Sequence, residues 1–262
     1  MTATEKTRAG IQSVEVGFAL LDKLARAGEP LMLRDLAAAA GMSAAKAHRY
    51  LVSFQRLGLV AQDSSTALYD LGPAALTLGL AALTRLDAVK LARERIGPLM
   101  RQIGHTLALA VWGNHGPTIV HWEDSPRAVT VNLRLGDVMP LLSSATGRCF
   151  AAHLSKDVME PMLAAEMALA RQLGRTDLPH SSAEVVAMLD EVRLRGLARV
   201  ENTLLPGVVG FCAPVFGFDG HMAMGLIALG SAATMDGGWD GAVGSPLRAA
   251  AVQLSIDLGQ PR

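Results

Sequence analysis

Cysteine is nearly absent: Cys149 and Cys212 are the two in 262 residues. That excludes a disulfide-stapled fold and suits a reducing compartment. Aromatic residues make up only 4% of the chain, so a core must be built from aliphatic side chains. Charged residues are also sparse at 18%, yet half the chain is hydrophobic, which excludes a disordered polymer. Long apolar runs are missing. The least charged stretches, residues 202–218 and 220–235, are rich in glycine, and the first contains Pro206 and Pro214. Neither reaches the roughly 20 apolar residues that cross a bilayer, so no membrane partner is expected. The opening MTATEKTRAG has no apolar core behind its charges and does not read as a signal peptide, which predicts a cytoplasmic protein with a flexible stretch at 1–10.

An excess of one charge is lacking too, with 24 basic and 24 acidic side chains. Residues 1–72 hold 8 basic against 7 acidic, which leaves 16 against 17 for the remainder. Bulk electrostatics therefore neither supports nor excludes a polyanion partner, and any such claim rests on where the charges sit.

Residues 11–72 read as a small helical domain with a β wing. Val14, Phe18, Leu21 and Leu24 recur at helical spacing from Ile11 to Ala27, and Gly28 followed by Glu29-Pro30 ends that helix. Leu31 to Leu33 suggests a scrap of extended chain, and Arg34 to Ala40 a short second helix. Gly41-Met42-Ser43 then forms a joint: glycine tolerates a left-handed turn, and Ser43 can cap the helix that follows. That helix is predicted from Ala44 to Leu57, with Ala47, Tyr50, Leu51, Phe54 and Leu57 available for burial and Lys46, Arg49, Ser53 and Arg56 for solvent. A slim first turn carrying two cations suits entry into a major groove. The expected DNA contacts are Ser43, Lys46, Ala47, Arg49 and Tyr50, with Arg34 touching phosphate. Two short extended runs, Leu59-Val60 and Ala67 to Leu71, flank a polar tip and predict the wing. Three helices and a hairpin also describe packing or dimerisation domains, so periodicity alone leaves both readings open.

Residues 73–86 predict a connecting helix with Leu76, Leu78, Leu80, Leu83 and Leu86 among alanines. So apolar a helix needs a cover, supplied either by this chain or by a second copy. From 87 onward the pattern is α/β. A helix over Asp87 to His105 contains Pro98, which weakens or breaks it. Strands are predicted at 107–112, 117–122 and 128–133 as an antiparallel meander, helices at 146–154, 156–166 and 182–195, strands at 209–215 and 222–228, and a last helix at 245–258.

A pocket is expected where Gly136 to Leu141 leads through Ser143-Ser144-Ala145-Thr146-Gly147-Arg148 into a helix. Unpaired N–H groups at a helix start favour a carboxylate, and small residues let it approach. Ala145 and Thr146 lie at that turn. Gly210, Cys212, Ile227 and Leu229 face it on the sheet reading, and Trp112 and Trp122 supply flat apolar area or plain core. The rival reading is an enzyme using His105, His115, His121, Cys149, Cys212, Glu123 or Asp124. None of these has a recognised metal-ligand spacing, the cysteines form no Cys-x-x-Cys, and no glycine-rich nucleotide motif precedes a helix. Neither an enzyme nor a cofactor is expected. A third reading is a dimeric DNA-binding protein that takes no ligand.

The runs Leu20-Leu21-Asp22-Lys23-Leu24, Leu33-Arg34-Asp35-Leu36-Ala37, Gly41 through Leu51, Leu57-Gly58-Leu59-Val60 and Tyr69-Asp70-Leu71-Gly72 resemble the DNA-binding domain of the isocitrate lyase regulator (IclR) family of bacterial transcription factors. Residues 136–151, Arg193 to Ala198 and Gly207 to Gly220 are similar to that family's effector-binding domain. The resemblance implies a winged helix-turn-helix head, a linker helix and a GAF-like α/β domain. It also implies operator DNA as partner, a small organic acid held by Ala145, Thr146 and the last strands, and a homodimer or dimer of dimers. Two departures stand out. Lys46 replaces a common threonine, so a hydroxyl suited to a phosphate becomes a longer cation. Ile227 and Leu229 stand where members with a very small acid have hydroxyls, which points to an aromatic or bulkier carboxylate.

Overall fold

The computed structural model describes residues 10–83, 87–126 and 133–260. It divides into two units, Met1–Leu86 and Asp87–Arg262, each with its own core. The flexible stretch expected at 1–10 falls, apart from Gly10, outside the described residues, as does nearly all of the strand expected at 128–133.

In the first unit, α1 (Gln12–Ala27), α2 (Leu33–Ala39) and α3 (Ala44–Arg56) precede a two-stranded antiparallel ribbon of β1 (Val60–Gln62) and β2 (Tyr69–Leu71). Leu20, Leu24, Leu36, Leu51 and Tyr69 close the core. The expected scrap of extended chain exists as a bridge between Leu31 and Tyr69. Of the stripe read for α1, Leu24 is buried, but Val14 and Phe18 are each 64% exposed; Leu20 joins Leu24 in the core, and among the described residues the outer positions have little cover. The connecting helix α4 (Pro73–Leu83) also lies open, with Leu76, Leu78 and Leu80 exposed.

The second unit is a three-layer sandwich. Its antiparallel sheet has the order β4-β3-β7-β6-β5, with β3 at Thr106–Gly113, β4 at Gly116–Glu123, β5 at Ala198–Glu201, β6 at Val208–Phe216 and β7 at Met222–Ser231. Alternation along the strands sends Leu107, Leu109, Phe211 and Ala213 to one face, where α5 (Ala88–Ile103) and α9 (Gly244–Asp257) cover them. Ala108, Ala110, Cys212 and Ile227 face the other side, under α6 (Ala145–His153) and α8 (Ser182–Arg195), with α7 (Lys156–Gln172) contributing Met159 and Leu163. Among the described residues the meander reduces to the β3–β4 hairpin. The second neighbour of β3 is β7, and the outer edge of β4 is followed by residues 136–139, where Gly136 N–H donates to the Ile119 carbonyl and Ile119 N–H to that of Asp137. Pro98 does not break α5, which runs straight through it.

Candidate DNA-contacting helix and effector cavity

Gly41, at φ +66°, turns the chain between α2 and α3 through a conformation that a side chain would oppose. Ser43 follows in extended geometry, and its hydroxyl accepts from the Lys46 N–H at 3.4 Å, which caps α3. The helix then sorts its residues by face. Ala47 and Leu51 are wholly buried, whereas Ser43, Ala44, Ala45, Lys46, His48 and Arg49 are exposed. The helix contains no carboxylate, and among the described residues neither Lys46, Arg49 nor the exposed Arg34 of α2 is engaged in an ion pair. Unpaired cations on a slim helical face can approach a phosphate without first giving up a partner.

Two of the expected contacts are placed elsewhere. Ala47 has no exposed surface, because it is the α3 residue that meets the core of the head. Tyr50 is half-buried against the same core, its ring so close to Gly17 of α1 that a β-carbon there would meet it at 3.0 Å. Both serve packing. Ser43, Lys46, Arg49 and Arg34 remain available at the surface.

In the second unit a cavity opens between the sheet and the start of α6. Ala145, Thr146, Gly210, Ile227, Leu229 and Trp122 all line it. It encloses about 500 Å³ of empty space, its open mouth included, and side chains crowd the interior so that only water-sized room is left. A ring-sized ligand therefore requires the lining to give way. The Trp122 indole is oriented by an N–H donated to the Asp124 carboxylate at 2.6 Å.

The polar end of the cavity is the α6 N-terminus. Ser144 caps it, accepting from Gly147 N–H at 2.8 Å while its own hydroxyl donates to the Pro140 carbonyl at 2.6 Å. Among the described residues nothing accepts from the Ala145 and Thr146 N–H groups. Such a pair of donors at the positive end of a helix can receive an anionic oxygen. Gly147 allows the close packing behind this turn, since a β-carbon there would stand 1.9 Å from the Pro140 oxygen. Arg148 reaches back to the Leu142 carbonyl at 2.8 Å, and burial lowers its pKa.

Cys212 and Trp112 do not line the cavity. Cys212 shares its face with Gly210 but lies beneath Cys149, one turn along α6, and burial followed by a hydrogen bond to Cys212 pushes the Cys149 thiol well up. Trp112 shares a face with Ala108 but sits four residues farther along β3, about 13 Å, where it meets Phe150 at 5.9 Å. Val200, Leu204 and Val208, which also line the cavity, were not expected. The alternation of Ala198, Arg199, Val200 and Glu201 was a legible sign of β5 and of an inward Val200. Among the described residues no group of histidine, cysteine and carboxylate side chains could hold a metal, and no helix is long and apolar enough to cross a membrane.

Comparison with known proteins agrees across both units. Residues 13–64 match the IclR helix-turn-helix domain, and residues 80–256 match the bacterial transcriptional regulator IclR C-terminal domain. The glycerol operon regulatory protein of Streptomyces griseus is 31% identical over 255 residues, covering 96% of this chain and 98% of the relative. The regulator KdgR of Escherichia coli K12 is 26% identical over 222 residues, 85% of this chain and 83% of its own. The crystal structure of Pseudomonas aeruginosa HmgR superposes with a TM-score of 0.85 at 37% identity, covering 95% of this chain and 99% of that one. A DNA-reading head and an α/β domain with these relatives identify a regulator rather than an enzyme: the chain belongs to the IclR family of bacterial transcriptional regulators.

Proposed function

We propose that this regulator reads a duplex operator with α3 and that a small apolar carboxylic acid, an aromatic one fitting best, changes this reading by binding in the cavity beside α6. The observation that carries the ligand half is the pairing of two free N–H groups at the α6 start with otherwise apolar walls. Burying a carboxylate without partners costs several kcal/mol, so only the α6 end suits the charge, while Ile227, Leu229 and Val200 suit a ring or chain. Those walls offer a two-carbon acid no polar partner beyond the α6 end, whereas a ring or chain gains apolar contact once the lining moves apart. On the DNA side Lys46, Arg49, Ser43 and Arg34 supply the contacts, and the wing lies alongside. The exposed leucines of α4 support pairing with a second copy, which would present two heads to two half-sites. Ligand acts by favouring one spacing of those heads over another, which requires unequal affinity for the two. Such a protein works in the cytoplasm, where its operator is.

A mobility-shift assay on the DNA flanking the protein's own gene tests both halves. The wild type should shift that DNA, and phenylacetate should change the shift at concentrations where acetate has no effect. The Lys46→Ala, Arg49→Ala double variant should bind at least about tenfold more weakly. Equal binding by that variant overturns the α3 assignment, and a response to acetate alone overturns the apolar-acid reading.

A further inference from the structure

We infer that Glu166, on α7 and remote in sequence from the cavity, is a positioning residue that fixes the anion-receiving turn. The inference rests on the reading of the cavity as the effector site. Glu166 extends its carboxylate beneath the loop that enters α6: Oε1 accepts from Leu141 N–H at 2.7 Å and Oε2 from Leu142 N–H at 2.9 Å. Both leucines are fully or almost fully buried, so losing the carboxylate leaves their amides without a protein acceptor. Two parallel charge-assisted bonds to successive amides define the loop's height and its orientation together, which one bond could not do.

The other hydrogen bonds on this loop come from β4, where the Pro117 carbonyl accepts from Met139 N–H, and from α6. Ser144 holds the Pro140 carbonyl, Arg148 holds the Leu142 carbonyl, and Gly147 lies against Pro140. These contacts tie loop and helix into one body. Arg193 of α8 holds the far end of that body at the Ala152 carbonyl, and Glu166 of α7 anchors its loop end. Met139 and Ser144, on either side of the held residues, both line the cavity, so a shift at Leu141–Leu142 displaces the Ala145 and Thr146 donors from the ligand oxygen. Met139 and Glu166 also border a second, more open cavity on the far side of the loop, with about 770 Å³ of empty space including its open mouth, so that side is not packed solid and the loop has somewhere to go once released. Glu166 therefore keeps the two donors aimed into the cavity, without touching the acid.

The test uses the full chain with Glu166→Gln, which keeps one acceptor, and Glu166→Ala, which keeps none. Phenylacetate binding is measured by calorimetry, and backbone amide exchange is followed by mass spectrometry in the same samples. In E166Q, phenylacetate should bind about tenfold more weakly, and more weakly still in E166A. Peptides covering 139–146 should exchange at least tenfold faster, with those of β6, β7 and α9 unchanged. Unaltered exchange at 139–146 in both variants overturns the proposal, as does unaltered affinity in a variant whose loop exchanges faster. Faster exchange throughout the sheet overturns it as well, since Glu166 would then be a general brace. If the wild type binds neither phenylacetate nor any acid tried, the effector reading fails and the ligand half falls with it. The exchange data from those same samples still decide whether Glu166 fixes the loop.

Discussion

His153 closes the C-terminal end of α6 with its ring edge-on to Phe216 at 5.1 Å and its Nε2 buried without a partner. Burial first, and the positive charge of Arg193 second, depress its pKa from 6.5 to about 4. The folded state thus binds this proton less readily than the unfolded chain does. Its contribution to stability is complete above pH 6.5 and is lost as pH falls through the folded value, about 3 kcal/mol in all. Urea unfolding at pH 7 and pH 4 should show a smaller loss for His153→Gln than for the wild type; parallel losses would show that the imidazole is solvated. At this scale the sequence was legible where periodicity decides. Lys46 and Arg49 face out and Leu51 faces in because 3.6 residues make a turn, and by the same rule Ala47 belongs to the core and not to the groove. Trp112 and Trp122 were not separable in this way. They share a face, and only the pairing of Ala108 with Trp122 places one at the cavity and the other near the hairpin turn.

The helices and most of the strands were legible from hydrophobic spacing, and the exceptions have physical causes. Pro98 removes one hydrogen bond from α5, worth about 3 kcal/mol with its steric clash. Ile96, Met100 and Ile103 bury against the sheet, each worth about 1.5–3 kcal/mol, and burial prevails. β5 alternates Ala198 and Val200 with Arg199 and Glu201, but at four residues it is too short for that pattern to stand out from a turn. For α4 the spacing predicted a helix but not what covers it, because apolar periodicity is the same whether the cover comes from this chain or from a second copy. Leu76 and Leu80 are one turn apart and both exposed. Aspartate at both positions should leave the circular dichroism unchanged, reduce the mass found by ultracentrifugation to that of one chain, and weaken operator binding. Unchanged mass and unchanged DNA affinity would show that the α4 leucines are not the interface.

At the scale of the whole molecule, the exposed face of α3 belongs entirely to Met1–Leu86 and every residue lining the cavity beside α6 to Asp87–Arg262. Each unit closes a core of its own. The fragment 87–262 should therefore fold alone and bind phenylacetate with the affinity of the full chain while ignoring DNA. A calorimetric affinity more than about tenfold weaker would mean that the head contributes to ligand binding. The sequence suggested such a division of labour through its change from helical to alternating patterns, but it could not show how tightly the cavity closes, since crowding depends on how Met139, Trp122 and Leu204 meet in space.

Cys149 and Cys212 sit face to face in the middle of the sensing domain, both sealed from solvent. Oxidants and alkylating agents attack the thiolate, a form that burial suppresses at Cys149. While the fold is closed, peroxide finds no point of attack at either sulfhydryl, and the two thiols become reactive only when the second unit opens.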